Sequence, residues 1–110
     1  MMDAKSFSDD SLREELKTLK QPLLLAFWAP WSNSCKTMEP ILKELAHDYG
    51  KRLLVGFINV DENAHSPAEY GVTHLPGLSL FSTDGKQVIS LTGPQPKSRL
   101  IEVIEKYFNL

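Results

Sequence analysis

The chain has 110 residues, of which 42% are hydrophobic and 24% charged, and this composition predicts one globular domain over residues 1–110. The formal net charge of -2 argues against a nucleic-acid partner, because general binding to nucleic acid needs a basic patch. The longest apolar run, Leu23–Pro30, is far shorter than the roughly 20 residues that cross a bilayer, so we expect no membrane partner. The single cysteine excludes a disulfide within the chain, so we expect no disulfide framework.

The N-terminal segment predicts where the protein is found in the cell. Met1–Asp10 carries charged residues and lacks the apolar core of a secretory signal. A chain with one thiol is also more typical of a reducing compartment than of an oxidising one. We therefore expect a cytoplasmic protein.

The first half of the chain predicts two helices on either side of a buried strand. Ser8 is placed to cap a first helix, from Asp9 to Lys20. Leu23–Ala29 is apolar on both alternating faces, as in a central strand that helices cover on both sides. After a short turn, apolar residues at helical spacing predict a second helix, kinked at Pro40 and ended by Gly50.

The second half predicts a strand, a short helix, a hairpin and a final helix. In chain order these are Leu53–Val60, a helix with Ser66 as its cap and Pro67 at its first position that ends at Gly71, the strands Leu78–Ser82 and Gln87–Leu91 around an Asp84-Gly85 turn, and a helix over 100–108. Parallel units followed by a hairpin predict an α/β fold with a mixed sheet between helices.

The turn after the first buried strand is the most informative stretch. It reads Phe-Trp-Ala-Pro-Trp-Ser-Asn-Ser-Cys-Lys over 27–36 and leads into the second helix. Free backbone N–H groups and the helix dipole favour the thiolate form of a cysteine at such a helix start. The stretch resembles the thioredoxin family pattern F-W-A-x-W-C-G-P-C-K and its later proline. The matching residues are Phe27, Trp28, Ala29, Trp31, Cys35, Lys36 and Pro40.

The resemblance continues over nearly the whole chain with consistent spacing. Further matching residues are Asn59-Val60-Asp61, Tyr70-Gly71-Val72, Leu75-Pro76, Leu80-Phe81, Gly85 and Gly93. The resemblance implies the thioredoxin fold, with a central mixed sheet of about five strands flanked by about four helices. It also implies a thiol–disulfide oxidoreductase lineage, which serves protein disulfide reduction and cell redox homeostasis, without a cofactor.

The motif departs from the family at the residue that carries the chemistry. In thioredoxins the first cysteine of C-x-x-C attacks a substrate disulfide and the second resolves the mixed disulfide. The first position here is Ser32, and an alcohol gives no useful nucleophile at neutral pH for this exchange. The second position is Cys35, with Asn33 and Ser34 between them. We therefore predict that the chain cannot perform dithiol turnover alone.

Two further departures lie close to that motif. Ala26 stands where thioredoxins commonly bury an aspartate that moves protons to the second cysteine, and Phe57 stands where a lysine often faces that acid. Ser32 could also be an engineered replacement of cysteine in an active thioredoxin. Engineering alone would leave the rest of the site typical, so the joint changes favour natural degeneracy. Natural active members do, however, vary at the middle pair of the motif, here Asn33-Ser34, and occasionally at the buried acid.

The remaining site residues have a structural and a functional interpretation. Ser32 is more easily explained as a helix cap than as a catalytic group, and Cys35 as either an inert buried thiol or the site of a mixed disulfide with an external partner. The resemblance implies that Trp31, Asn33, Ser34, Leu75, Pro76 and Gly93 contact a protein or peptide in extended conformation. His47, His65 and His74 match no zinc spacing, so we expect no metal.

Two functional hypotheses follow. In the first the protein is a redox protein, either because its parent form has cysteine at position 32 and is served by a thioredoxin reductase, or because Cys35 acts as a monothiol. In the second it is a non-catalytic module that binds extended peptides in the groove at Trp31, Leu75-Pro76 and Gly93.

Overall fold

The computed structural model describes residues 4–110. Residues 1–3 of the expected domain lie outside the described residues. They include Met1 and Asp3, which belong to the stretch used in the argument against a secretory signal. The elements are β1 (Ala4–Phe7), α1 (Asp9–Lys17), β2 (Leu23–Trp28), α2 (Asn33–Tyr49), a 3-10 turn (Gly50–Arg52), β3 (Leu54–Asn59), α3 (His65–Glu69), β4 (Gly77–Phe81), β5 (Gln87–Thr92) and α4 (Lys97–Phe108). Five strands and four helices confirm the predicted fold class.

The five strands form one mixed sheet in the order β1-β3-β2-β4-β5. β1 and β2 both run parallel to β3, and β4 runs antiparallel to β2 and β5. β2 is the middle strand and its first five residues are buried, as its two apolar faces predict. Its register with β3 pairs Ala26 with Phe57 and Trp28 with Asn59, which brings the carboxyl ends of these two strands to the same edge.

The core lies on both faces of this sheet. Alternate β2 residues belong to different apolar clusters, because successive side chains of a strand point to opposite faces. Leu24 and Ala26 pack with buried residues of α2 and α4, while Leu25 and Phe27 pack with α1 and Phe81. α2 therefore lies on the Ala26 face, and it runs without a break through Pro40 to its cap at Gly50. None of the helices in the described part of the chain is long and apolar enough to cross a membrane.

The first helix begins as predicted and ends earlier. Ser8 Oγ accepts a hydrogen bond from Ser11 N–H at 3.1 Å, and Ser11 Oγ accepts one from Ser8 N–H at 2.8 Å. The helix ends at Lys17, not at Lys20, because Thr18 leaves the helical conformation and donates its N–H to the carbonyl of Glu15. This exit lets Leu19 turn into the core, where it is buried.

The predicted cap of the third helix is wrong. Ser66 lies inside α3, which begins at His65, and it is buried. The capping group is the carboxylate of Asp9, which accepts hydrogen bonds from the N–H groups of His65 at 3.2 Å and Ser66 at 2.9 Å. The hydroxyl of Ser66 also donates to Asp9, at 2.5 Å. The side chain of Asp9, at the start of α1, therefore caps α3, whereas the local sequence pattern predicted Ser66 as the cap.

The predicted hairpin is confirmed by the pairing of β4 with β5. Gly85 in its turn has φ +82°, and its N–H donates to the Ser82 carbonyl at 2.9 Å. A Cβ at this position would lie 2.4 Å from the carbonyl oxygen of Leu16. Glycine is therefore needed here both for the turn and for the close approach to α1.

Candidate functional site

Ser32 and Cys35 lie where β2 passes into α2. Ser32 is the N-cap of α2, with extended backbone angles, and its Oγ accepts a hydrogen bond from Cys35 N–H at 3.3 Å. This contact satisfies one of the free N–H groups of the first helical turn. The prediction that Ser32 caps the helix is confirmed. The residue at the position of the attacking cysteine thus has a structural use for its oxygen.

Cys35 is the third residue of α2, and it is only 7% exposed. Its sulfur is the single thiol of the chain, so no internal disulfide can form. The adjacent Lys36 is exposed. Chemically, the motif offers one mostly covered thiol, at Cys35, and a hydroxyl at Ser32, where dithiol exchange requires two thiols.

Ala26 and Phe57 lie on neighbouring strands behind Cys35. They pair directly in the parallel ladder between β2 and β3, and Ala26 is 2% exposed. Both line the same cavity as Cys35. Neither side chain can take up or release a proton, so this pair gives the thiol no buried acid or base.

Trp31 is the exposed part of the turn, with 68% of its surface accessible. Its indole N–H donates a hydrogen bond to the Asp61 carboxylate at 3.1 Å, and the N–H of Asp61 donates to the side-chain oxygen of Asn59 at 2.9 Å. Asp61 was not among the predicted site residues. Its place in the matched Asn59-Val60-Asp61 stretch was the available signal, but the contact with Trp31 depends on how β2 and β3 end side by side.

Leu75, Pro76 and Gly93 form the second part of the site. The peptide bond between Leu75 and Pro76 is cis, as the resemblance implied. Gly93, which follows β5, donates its N–H to the Pro76 carbonyl at 2.8 Å. Gly93 has φ +84°, and a Cβ there would meet open space. The hydrogen bonds that join turns and loops within residues 4–110 leave the backbone N–H and carbonyl of Leu75 unused.

The structure joins some of the predicted site residues and leaves others apart. Cys35 and Pro76 line one cavity, and Pro76 and Gly93 are hydrogen bonded. Asn33 is exposed, and Ser34 is partly exposed, with its carbonyl accepting a hydrogen bond from the Thr37 hydroxyl at 2.7 Å.

The histidines are distributed over separate surface positions. His74, next to Leu75, is exposed, and its Nδ1 lies 3.1 Å from the Thr73 hydroxyl. His65 forms an ion pair with Glu69 on α3 at 3.1 Å. Within residues 4–110, no group of three metal-ligating side chains is arranged to hold an ion.

Comparison with known proteins places this geometry in a family. The sequence model of the family Thioredoxin matches residues 3–106. A thioredoxin from Griffithsia pacifica is 35% identical over 106 residues, which covers 96% of each chain. A thioredoxin from Rhodospirillum rubrum is 38% identical over 101 residues, covering 92% of this chain and 96% of the relative.

A thioredoxin from Synechocystis is 34% identical over 100 residues, covering 91% of this chain and 92% of its own. The family model therefore spans the five strands, the first three helices, most of α4 and both parts of the site. This chain belongs to the thioredoxin family.

Proposed function

We propose that this protein is a non-catalytic member of the thiol–disulfide oxidoreductase lineage that binds extended segments of partner proteins. The observation that carries the proposal is the Ser32–Cys35 pair. Ser32 uses its oxygen to cap α2, and Cys35 is buried with no second thiol in the chain. Binding at the surrounding face needs neither group to react.

The binding face consists of the exposed Trp31 and the partly exposed Leu75 and Gly93, with the buried Pro76 beneath them, and we call it the Trp31–Pro76 face. The indole of Trp31 offers a large apolar surface that Asp61 holds in place, and tryptophan is a frequent anchor in protein interfaces. Leu75 offers an N–H and a carbonyl that an extended chain could pair with, as in the addition of a strand to a sheet. Open space at Gly93 lets a partner backbone approach.

The loss of exchange chemistry follows from the same geometry. Dithiol exchange on this chain would need a thiol at position 32 to attack the substrate disulfide, and a proton carrier near Cys35 to help that thiol resolve the mixed disulfide. Ser32 and the Ala26–Phe57 pair supply neither. The proposal includes a protein partner and the cytoplasmic location predicted from the sequence, which fractionation of cells that express the native gene would check.

A phage-displayed peptide library, selected on the full chain, tests the binding function. We expect enriched peptides whose affinity falls at least tenfold with Trp31→Ala. The matched control is Tyr107→Ala, which removes another exposed aromatic from the end of α4. Selection of no peptide, or of peptides that bind both variants equally, would contradict the proposed binding face.

A second function remains relevant because the relatives are named thioredoxins. If the native gene encodes cysteine at position 32, the protein is a dithiol reductase that a thioredoxin reductase would serve. Determining that codon in the native gene decides this point directly. A cysteine codon would replace the binding function with the redox function.

A further inference from the structure

A small cavity lies between the sheet and α2, next to Cys35. Its volume is about 170 Å³. Most of its apolar lining comes from three elements, and one residue of the loop before β4 completes it: Ala26 and Trp28 on β2, Met38 and Leu42 on α2, Phe57 on β3, and Pro76. The cavity therefore belongs to the packing of α2 against the sheet, which is separate from the exposed indole of Trp31.

The cavity has a fixed apolar wall and a polar rim. Ala26, Met38 and Leu42 are almost completely buried members of the larger core cluster. The wall that they form is therefore kept in position by the close packing of the core. The polar lining residues Ser6 and Glu39 are both exposed, as is Lys36. These exposed lining residues place the opening of the cavity at the protein surface. The buried lining residues Ala26, Met38 and Leu42 are apolar.

The size and lining decide what kind of molecule fits. Drug-sized ligands occupy pockets of about 300 Å³ or more, so they are too large for this cavity. An engineered apolar cavity of about 150 Å³ in another protein binds benzene and xenon. A charged molecule would lose its hydration without gaining a buried partner on the apolar wall. We propose that this cavity binds small, neutral, apolar molecules of about the size of benzene.

Ala26 contributes only a methyl group to the lining of this space. Ala26 faces Phe57 across the ladder, and both line the cavity. A larger side chain at position 26 would occupy the volume directly. The cavity shares Pro76 with the Trp31–Pro76 face, but Trp31, Leu75 and Gly93 do not line it. The binding proposed here also needs no reaction of Cys35, so it can fail or succeed separately from the proposed function.

Benzene titration of the full, reduced chain tests the proposal by methyl-resolved NMR. We expect saturable shifts of the Ala26, Met38 and Leu42 methyl signals, and a rise in the thermal midpoint with benzene, as linkage requires for a ligand of the folded state. Ala26→Leu fills the cavity and should weaken benzene binding at least tenfold. Trp31→Ala, the matched control, should bind benzene as the parent chain does.

Phe57→Lys gives a second variant in case Ala26→Leu does not fold. Phe57 is partly exposed on β3, so a lysine there can keep its ammonium group near the surface while it makes the cavity more polar. We again expect at least tenfold weaker benzene binding. Absence of saturable shifts in the parent chain would overturn the proposal. So would equal binding by the folded cavity variants, or loss of binding in Trp31→Ala.

Discussion

The Oγ of Ser32 and the backbone N–H of Cys35 are joined by a 3.3 Å hydrogen bond at the start of α2. The family pattern places the two sulfurs of an exchange reaction at these two residues. Here Ser32 instead caps the helix that contains Cys35. The contact explains how the fold keeps its central turn while the reaction loses its nucleophile.

Replacing Ser32 with alanine should reduce stability. The variant removes the side-chain oxygen that accepts from Cys35 N–H, and loss of an N-cap costs about 1 kcal/mol of unfolding free energy. Urea unfolding of the reduced protein measures the change. Ser34→Ala, in the same turn, should change stability much less because its side chain caps nothing. Equal losses in both variants would contradict the capping role of Ser32.

Restoring sulfur at position 32 should recover only part of the exchange activity. A cysteine at the helix start has its thiolate favoured, so Ser32→Cys should attack disulfides. Resolution by the buried Cys35 would remain slow because Ala26 cannot carry a proton. Adding Ala26→Asp should raise insulin reduction by roughly tenfold or more. Equal rates for the single and double variants would show that position 26 does not limit turnover.

The link between Asp9 and α3 should make stability depend on pH in the acid range. Burial raises the pKa of Asp9, but hydrogen bonds from Ser66 and His65 outweigh it, and the pKa lies below the ordinary value of 3.8. A lowered folded-state pKa means that the carboxylate contributes stability above the ordinary pKa. That contribution is lost as the pH falls through the lowered pKa.

Asp9→Ala tests this link. The variant should lose about 1–2 kcal/mol of unfolding free energy at pH 7, the range of a strong capping interaction. Its deficit relative to the parent chain should shrink as the pH falls below about 4. Asp10→Ala, which removes an exposed carboxylate of the first turn of α1 and its ion pair with Arg13, should cost much less. A deficit that stays constant down to pH 2 would contradict the ionised cap.

Tyr49 should titrate unusually late. Burial and the hydrogen bond that its hydroxyl donates to Glu105, at 2.9 Å, raise the pKa of Tyr49 to about 12. The raised value means that this tyrosine stabilises the fold below its ordinary pKa of 10.0, and that the stability is lost as the pH rises towards 12. NMR titration of the ring signals measures the value.

Glu105→Gln separates the two causes of that shift. Removing the carboxylate should lower the pKa of Tyr49, while burial keeps it above the ordinary value. Glu102→Gln, on the same helix and paired with Arg99, should leave the Tyr49 pKa unchanged. A Tyr49 pKa that does not respond to Glu105→Gln would show that burial alone raises it.

The sequence allowed prediction of those features that depend on local pattern. The two apolar faces of β2 predicted a central strand, and the position of Ser32 before a helical pattern predicted its cap; both are confirmed. The hairpin at Gly85 also followed from its turn residues. In these cases the physical cause lies within a few residues of the effect.

Other features depend on residues that are far apart in the chain. The cap of α3 comes from Asp9, more than 50 positions before Ser66, and the local pattern pointed to the wrong residue. The hydrogen bond from Trp31 to Asp61 requires the ends of two strands to meet. The cavity at Ala26 similarly depends on its register with Phe57. No local rule determines such contacts.

Insulin reduction by dithiothreitol, followed by turbidity with and without the full chain, tests most directly whether disulfide exchange has been lost. Our account predicts that the parent chain leaves the rate at that of dithiothreitol alone, because Ser32 supplies no attacking sulfur. A catalytic acceleration proportional to the concentration of the parent chain would contradict it.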